Sequence, residues 1–189
     1  MARAKLNPVF AQFRGAVGDL VFRHTESGVV VAPKASPASG SPSEAQAAHR
    51  VRFGQAAAYG RSVMADPEAK AFYDALARSR KKPVFSLTIA DYFRAPTVDA
   101  VDASAYAGAA GDAIAVEATD NVGVVRVEVT LTDGDGAVLE AGEAVLDGWR
   151  WIYTAQTTVP AGTTVHVTAR AFDRPGGVGE GVADVTVPA

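Results

Sequence analysis

The stretch Val125-Arg126-Val127-Glu128-Val129-Thr130-Leu131-Thr132 alternates apolar and polar residues without a break. Successive side chains of an extended strand point to opposite faces, so this run predicts a strand with one face in a core and the other toward water. The pattern recurs downstream. Trp149, Trp151, Tyr153 and Ala155 alternate with Arg150, Ile152 and Thr154, and Val165, Val167, Ala169 and Ala171 alternate with Thr164, His166, Thr168 and Arg170. Turn-forming residues separate the runs: Asp120-Asn121-Val122-Gly123, Asp133-Gly134-Asp135-Gly136, Asp147-Gly148, Pro160-Ala161-Gly162 and Asp173-Arg174-Pro175-Gly176-Gly177. About seven short strands in roughly 90 residues predict an all-β immunoglobulin-like sandwich over 96–189, in a version without the usual cysteine pair. Trp149 or Trp151 is its expected core anchor.

Upstream, the composition changes sign. Residues 1–95 hold 14 Lys and Arg against 7 Asp and Glu, a net of +7, whereas residues 96–189 hold 4 against 14, a net of −10. The first half is rich in Ala, Gln, Arg and Lys, and the second in Val, Thr, Gly and Asp. A domain boundary is expected near Arg94-Ala95-Pro96.

The N-terminal half predicts an α+β module. Asp19-Leu20-Val21-Phe22-Arg23 and Val29-Val30-Val31-Ala32, joined by His24-Thr25-Glu26-Ser27-Gly28 and preceded by Gly15-Ala16-Val17-Gly18, read as a β-hairpin arm over 1–32. A two-stranded hairpin is marginal in water and needs a cover. Residues 33–43, rich in Pro, Ser, Ala and Gly, have linker composition. A helical module over 44–95 follows. Its first helix starts either with Ser41 as cap, Pro42 at the first position and Glu44 closing a capping box, or with Ser43 and Gln46 in those roles. Phe53, Ala56, Ala57, Gly60, Val63 and Met64 form its expected apolar stripe. Asp66-Pro67 starts a second helix with Ala69, Phe72, Tyr73 and Leu76 inward and Arg78, Arg80, Lys81 and Lys82 at its end, where the helix dipole favours cations. Residues 84–93 fit a strand or a helix, with a short helix or turn preferred.

Several of these motifs together resemble one family. Gly15-x-x-Gly18-Asp19-Leu20-Val21-Phe22, Pro42-Ser43-Glu44-Ala45-Gln46 before an Arg- and Phe-containing helix, and Ala90-Asp91-Tyr92-Phe93 before Pro96 are similar to uncharacterised bacterial proteins in which such a module precedes a cysteine-free Ig-like domain. Val127-x-Val129-x-Leu131-x-Asp133-x-x-Gly136 and Trp151-x-Tyr153-Thr154-Ala155 extend the resemblance over nearly the whole chain. It implies an architecture and carries no catalytic residues.

A search for chemistry returns few constellations. The chain has no cysteine, which removes disulfides, thiolate nucleophiles and cysteine-bound metals. His24, His49 and His166 are scattered over a loop, a helix and a strand. No nucleophile elbow, phosphate loop or zinc-protease motif occurs, and Gly176-Gly177-Val178-Gly179-Glu180-Gly181 reads as an ordinary turn. No enzyme activity and no cofactor are expected. Asp120, Asp133, Asp135 and Asp173 in turns would suit Ca²⁺ at one end of a sandwich, but Asp in turns is explained more simply by bonding its own backbone.

The expected function is therefore that of a non-enzymatic structural protein, a filament or phage-like particle subunit. Copies would join head to tail through strand exchange by the hairpin, with Leu20, Phe22, Val29, Val31, Arg78, Arg80, Lys81 and Lys82 at the interface. The alternative is a monomeric binding module, an Ig-like adhesin or decoration domain anchored by its basic module to nucleic acid or protein. A protein contact is favoured over nucleic acid, because an acidic surface lies on the same polypeptide. No stretch is apolar enough for a membrane span. No secretory signal is visible, so synthesis in the cytoplasm is expected, with release only by lysis, a non-classical route or a particle.

Overall fold

A computed structural model describes residues 13–25, 28–36 and 41–188. The chain divides into two compact units, Met1–Glu44 and Ala45–Ala189.

The first unit is a three-stranded antiparallel meander: β1 (Gly15–Val17), β2 (Leu20–Thr25) and β3 (Gly28–Pro33), with β2 in the middle. Residues 15–17, expected to lead into a two-stranded hairpin, instead form a third strand. Gly18, at φ +60°, takes the first position of the two-residue turn between Val17 and Leu20, where such tight turns demand a positive φ. Register places Val17, Leu20, Phe22, Val29 and Val31 on one face. Of these only Phe22 is buried, and its ring lies 5.9 Å from that of Phe13. The expected linker begins one residue later than predicted, because Pro33 still pairs with Leu20; residues 37–40 lie outside the described ones.

In the second unit, α1 (Glu44–Ala65) starts in the Ser43 register, not the Ser41 one. Its buried stripe is narrower than predicted: Ala56, Gly60 and Val63 are inward, while Phe53 and Met64 are exposed. A small-residue face lets α1 come close to its neighbour. A Cβ on Gly60 would stand 2.7 Å from Thr88 Oγ1 and 2.8 Å from the Phe85 ring. Asp66 caps α2 (Pro67–Arg80), accepting the Glu68 and Ala69 amides at 2.9 and 3.3 Å, and Lys81 ends it in the left-handed region at φ 51°. Tyr73 is buried as expected, but Phe72, expected inward, is exposed, and Ala77 is buried in its place. Residues Val84–Phe93 form α3, which resolves their ambiguity in favour of a helix.

Seven strands follow: β4 (Thr97–Asp102), β5 (Ala113–Thr119), β6 (Arg126–Asp133), β7 (Val138–Asp147), β8 (Arg150–Thr154), β9 (Thr164–Phe172) and β10 (Val178–Thr186). Hydrogen-bonded neighbours run β10-β9-β6-β7-β8-β5-β4, all antiparallel. Strand β7 belongs to two sheets, since Val138–Ala144 pairs with β6 and Val145–Asp147 with β8. The described residues thus form a β-rich mixed fold of three helices and three antiparallel sheets, two of them facing one another in a sandwich-like core. Val127, Val129, Leu131, Val165, Val167, Ala169 and Ala171 meet Ile114, Val116, Trp151 and Tyr153 there.

Three expectations change here. Trp149 is not a strand residue: Asp147 pairs with Arg150, so Gly148 and Trp149 form the turn, and Trp149 stands 65% exposed beneath the Arg150 guanidinium (4.4 Å). The glycine-rich segment 176–181 is only half turn. Gly179 and Gly181 lie inside β10, where a Cβ would come within 2.1 Å of the Pro96 carbonyl oxygen and 2.5 Å of Val98; glycine lets β10 press onto β4. Nor does the chain divide near Arg94-Ala95-Pro96. Val122 packs into the helical cluster of Val63, Tyr73, Ala77 and Leu87, and helices and sheets form one unit despite their opposite charge.

Candidate metal centre

Three carboxylates from distant parts of the sequence converge where the helices meet the loops of the sheets. Asp91 stands on α3, Asp120 in the loop between β5 and β6, and Asp173 just after β9. One oxygen from each lies within 4.8 Å of the other two. Asp91 is 1% exposed and Asp173 5%, with Asp120 half-buried.

Each carboxylate is held by one oxygen and leaves the other unpartnered. Tyr59 lies 2.8 Å from the Tyr73 hydroxyl, and Tyr73 donates to Asp91 Oδ2. Asp120 Oδ2 accepts the amides of Val122 (2.7 Å) and Gly123 (2.8 Å), and Asp173 Oδ1 accepts the Gly177 amide. Asp91 Oδ1, Asp120 Oδ1 and Asp173 Oδ2 are buried with no hydrogen-bond partner, as is Oδ1 of Asn121 beside Asp120. A Cβ on Gly177 would fall 2.5 Å from Asp173 Oδ2, so glycine keeps that oxygen's surroundings open.

The electrostatics follow from this crowding. Burial raises Asp91 from 3.8 to about 6; the Tyr73 bond and Arg174 oppose the rise, and the Asp120 and Asp173 charges add to it. Burial likewise raises Asp173, against the pull of the Gly177 and Gly176 amides. Burial pushes both tyrosines up, Tyr73 strongly, so each remains a hydroxyl donor. Arg174 makes no ion pair with the three carboxylates among the described residues; its guanidinium lies 4.0 Å from the centre of the exposed Phe72 ring. An anionic, oxygen-only cluster with unused lone pairs is chemically suited to a hard cation.

Of the four turn aspartates singled out in the sequence, the structure brings Asp120 and Asp173 together. It does not bring Asp133 and Asp135 to them as members of the cluster. Asp133 Oδ1 instead accepts the Asp135 and Ala137 amides at 3.0 and 2.8 Å, the simple turn role. Asp91 escaped the sequence reading. Its signal was a lone carboxylate in the apolar decapeptide 84–93, three residues after Thr88 and four after Leu87, on the face that is buried.

The expected interface residues lie in two places. Leu20 and Val31 are exposed on the N-terminal sheet, Val29 is half-buried, and Phe22, at 9%, is too covered to serve as an open contact. Arg78, Arg80, Lys81 and Lys82 are all exposed around the end of α2. The histidines remain apart: His49 stacks on Phe93, and His166 pairs with Asp184 at 2.6 Å. No helix among the described residues is long and apolar enough to cross a membrane.

No protein-family model and no curated protein matches the chain. Solved structures give distant likenesses. CopC from Methylosinus trichosporium OB3b is 17% identical with a TM-score of 0.37, covering 49% of this chain and 93% of that one. A conjugate transposon protein segment from Bacteroides vulgatus is 19% identical with a TM-score of 0.26, covering 49% and 83%. Both scores lie well below 0.5, and neither likeness carries an argument about this protein.

Proposed function

We propose that the protein is a non-enzymatic structural subunit that self-associates, as in a filament or a phage-like particle, with its N-terminal sheet docking on a second copy. The observation that carries this reading is the sheet itself. Val17 (52%), Leu20 (45%) and Val31 (39%) stand exposed on one face, and Val30 (43%) on the other. A small sheet with apolar residues open on both faces is stabilised by a further layer or a further strand, and among the described residues β1 and β3 are its edges, the places where a strand would add.

The occupant we assign is another copy of the chain, because the two halves carry complementary charge. The +7 half presents Arg78, Arg80, Lys81 and Lys82, and the −10 half lies on the acidic sheets. A contact between unlike surfaces is heterologous and propagates when its rotation does not close. For the second unit we favour an immunoglobulin-like sandwich. Strand orders β4-β5-β8-β7 and β7-β6-β9-β10 follow the ABED and CFG arrangement of that fold, with β7 changing sheets as C′ and D strands do.

Light scattering on size-exclusion fractions tests the reading. Full-length protein is expected to elute as species larger than 19.5 kDa, and removal of residues 1–32, or Leu20→Asp with Val31→Asp, is expected to return monomers. A full-length monomer at 100 μM (roughly, near the weak limit of specific association) would sink the proposal in favour of a monomeric binding module.

A further inference from the structure

We propose that Asp91, Asp120 and Asp173 bind one Ca²⁺ ion that fastens the helices to the loops of the sheets. Three observations carry this beyond a mere group of acids. First, each carboxylate has one oxygen committed to a hydrogen bond and the other left buried without a partner, which orients an unused lone pair on each of three chain segments. Burying such oxygens with nothing bound is costly. Second, Asp91 and Asp173 are 99% and 95% buried, so bulk water cannot fully solvate their charge. Third, the spacing fits. Two oxygens bonded to one Ca²⁺ at about 2.4 Å stand at most about 4.8 Å apart, and the three groups each offer an oxygen within 4.8 Å of the others.

Ligand chemistry selects the ion. The donors are all oxygen, which suits Ca²⁺ or Mg²⁺ over zinc or copper. Ca²⁺ tolerates irregular ligand sets and takes six to eight oxygens, whereas Mg²⁺ demands a near-ideal octahedron at about 2.1 Å and holds its waters. The unpartnered Asn121 Oδ1 offers a further donor in the same loop as Asp120. Three carboxylates leave a net negative site even with Arg174 nearby.

The binding would be structural. Asp91 belongs to α3, while Asp120 and Asp173 head the two loops that face it, so one ion would cross-link helix and sheets. This goes beyond the assembly proposed above and is tested separately from it.

Metal-stripped full-length protein titrated with CaCl2 in a calorimeter is expected to bind about one ion per chain, with Kd in the range of about 10⁻⁵–10⁻³ M. Its Tm is expected to rise by roughly 5–10 °C at a hundredfold excess over Kd, and MgCl2 is expected to do much less. Asp173→Asn and Asp120→Asn, checked for folding by circular dichroism, are expected to lose the binding heat, while Asp133→Asn retains it. Tb³⁺ gives a second readout on unaltered protein, since Tyr73, bonded to Asp91, would sensitise its luminescence and Ca²⁺ would quench it by displacement. The proposal is overturned if native protein shows neither heat nor a Tm shift with millimolar Ca²⁺. It is also overturned if binding survives in folded Asp173→Asn or disappears in folded Asp133→Asn, which would put the ion at the Asp133 turn. Should both cluster variants fail to fold, absence of displaceable Tb³⁺ luminescence in the native protein decides against it.

Discussion

Asp91 shows how one side chain can be both anchored and frustrated. Tyr73 donates to one of its oxygens, yet burial and two neighbouring carboxylates hold its ionised form at a disadvantage, lifting it from 3.8 to about 6. Arg174 offsets part of this, and Tyr59 completes the group of polar side chains around it. In the unfolded chain the carboxyl loses its proton near 3.8; in the metal-free fold it keeps it until about 6. The folded state therefore binds more protons between these values, and stability falls as pH rises through that window, by roughly 3 kcal/mol before levelling off above pH 6. Urea midpoints of metal-stripped protein at pH 4.5 and 7 should show this contribution as a difference from Asp91→Asn, which lacks the titration. Identical pH profiles for the two proteins would mean that Asp91 is solvated like a surface carboxylate.

At the scale of the element, β8 illustrates how a register converts a pair of tryptophans into one core residue and one surface residue. Both have the same parity, so alternation alone assigns them the same face. The two-residue turn at Gly148 removes Trp149 from the strand, and Val116 pairs with Trp151 inside the core. Trp151→Ala should cost about 3–5 kcal/mol, as for other buried aromatics, whereas Trp149→Ala should stay within about 0.5 kcal/mol. Chemical denaturation of both variants checks the contrast; equal losses would mean that the turn is wrongly placed. Strand β7 makes a related point. Its change of partner after Ala144 joins two sheets through one backbone, and the segment, which lacks a clear apolar alternation, carries no local signal of the change.

For the molecule as a whole, the separation of charge between the two halves does not coincide with the separation into units. The basic helices share a unit with the acidic sheets, and Val122 of the β5–β6 loop packs into the helical cluster. In the proposed assembly the exposed Arg78, Arg80, Lys81 and Lys82 would steer a second copy. Exposed pairs are worth only about 0–1 kcal/mol each, so affinity should rest on Val17, Leu20, Val30 and Val31. Raising salt should then slow association, since screening acts within about 8–10 Å, without dissolving assemblies already formed. Time-resolved light scattering at 50 and 500 mM salt (on the order of a threefold change in screening length) measures this; rapid dissolution at high salt would place the affinity in the charges.

Local patterns were enough for the strands β6, β8 and β9, the Asp66-Pro67 start of α2 and the end of α2 at its basic run, because each depends on periodicity or on a cap within a few residues. Asp120 and Asp173 were legible as turn residues on the same grounds. Their meeting with Asp91 was not, since neighbouring members of the trio stand 29 and 53 positions apart, and only the packing of α3 against the two loops determines that distance. The same holds for the glycines of β10, whose small size matters only because β4 passes over them, and for Gly60, whose role appears once α3 is set against it. Sequence by itself determined most of the helices and strands, though not β1, α3 or the start of β10, and where charge accumulates. Tertiary structure decided which aromatic is core, where the chain divides and which carboxylates share a site, because these depend on contacts between segments that no local period encodes.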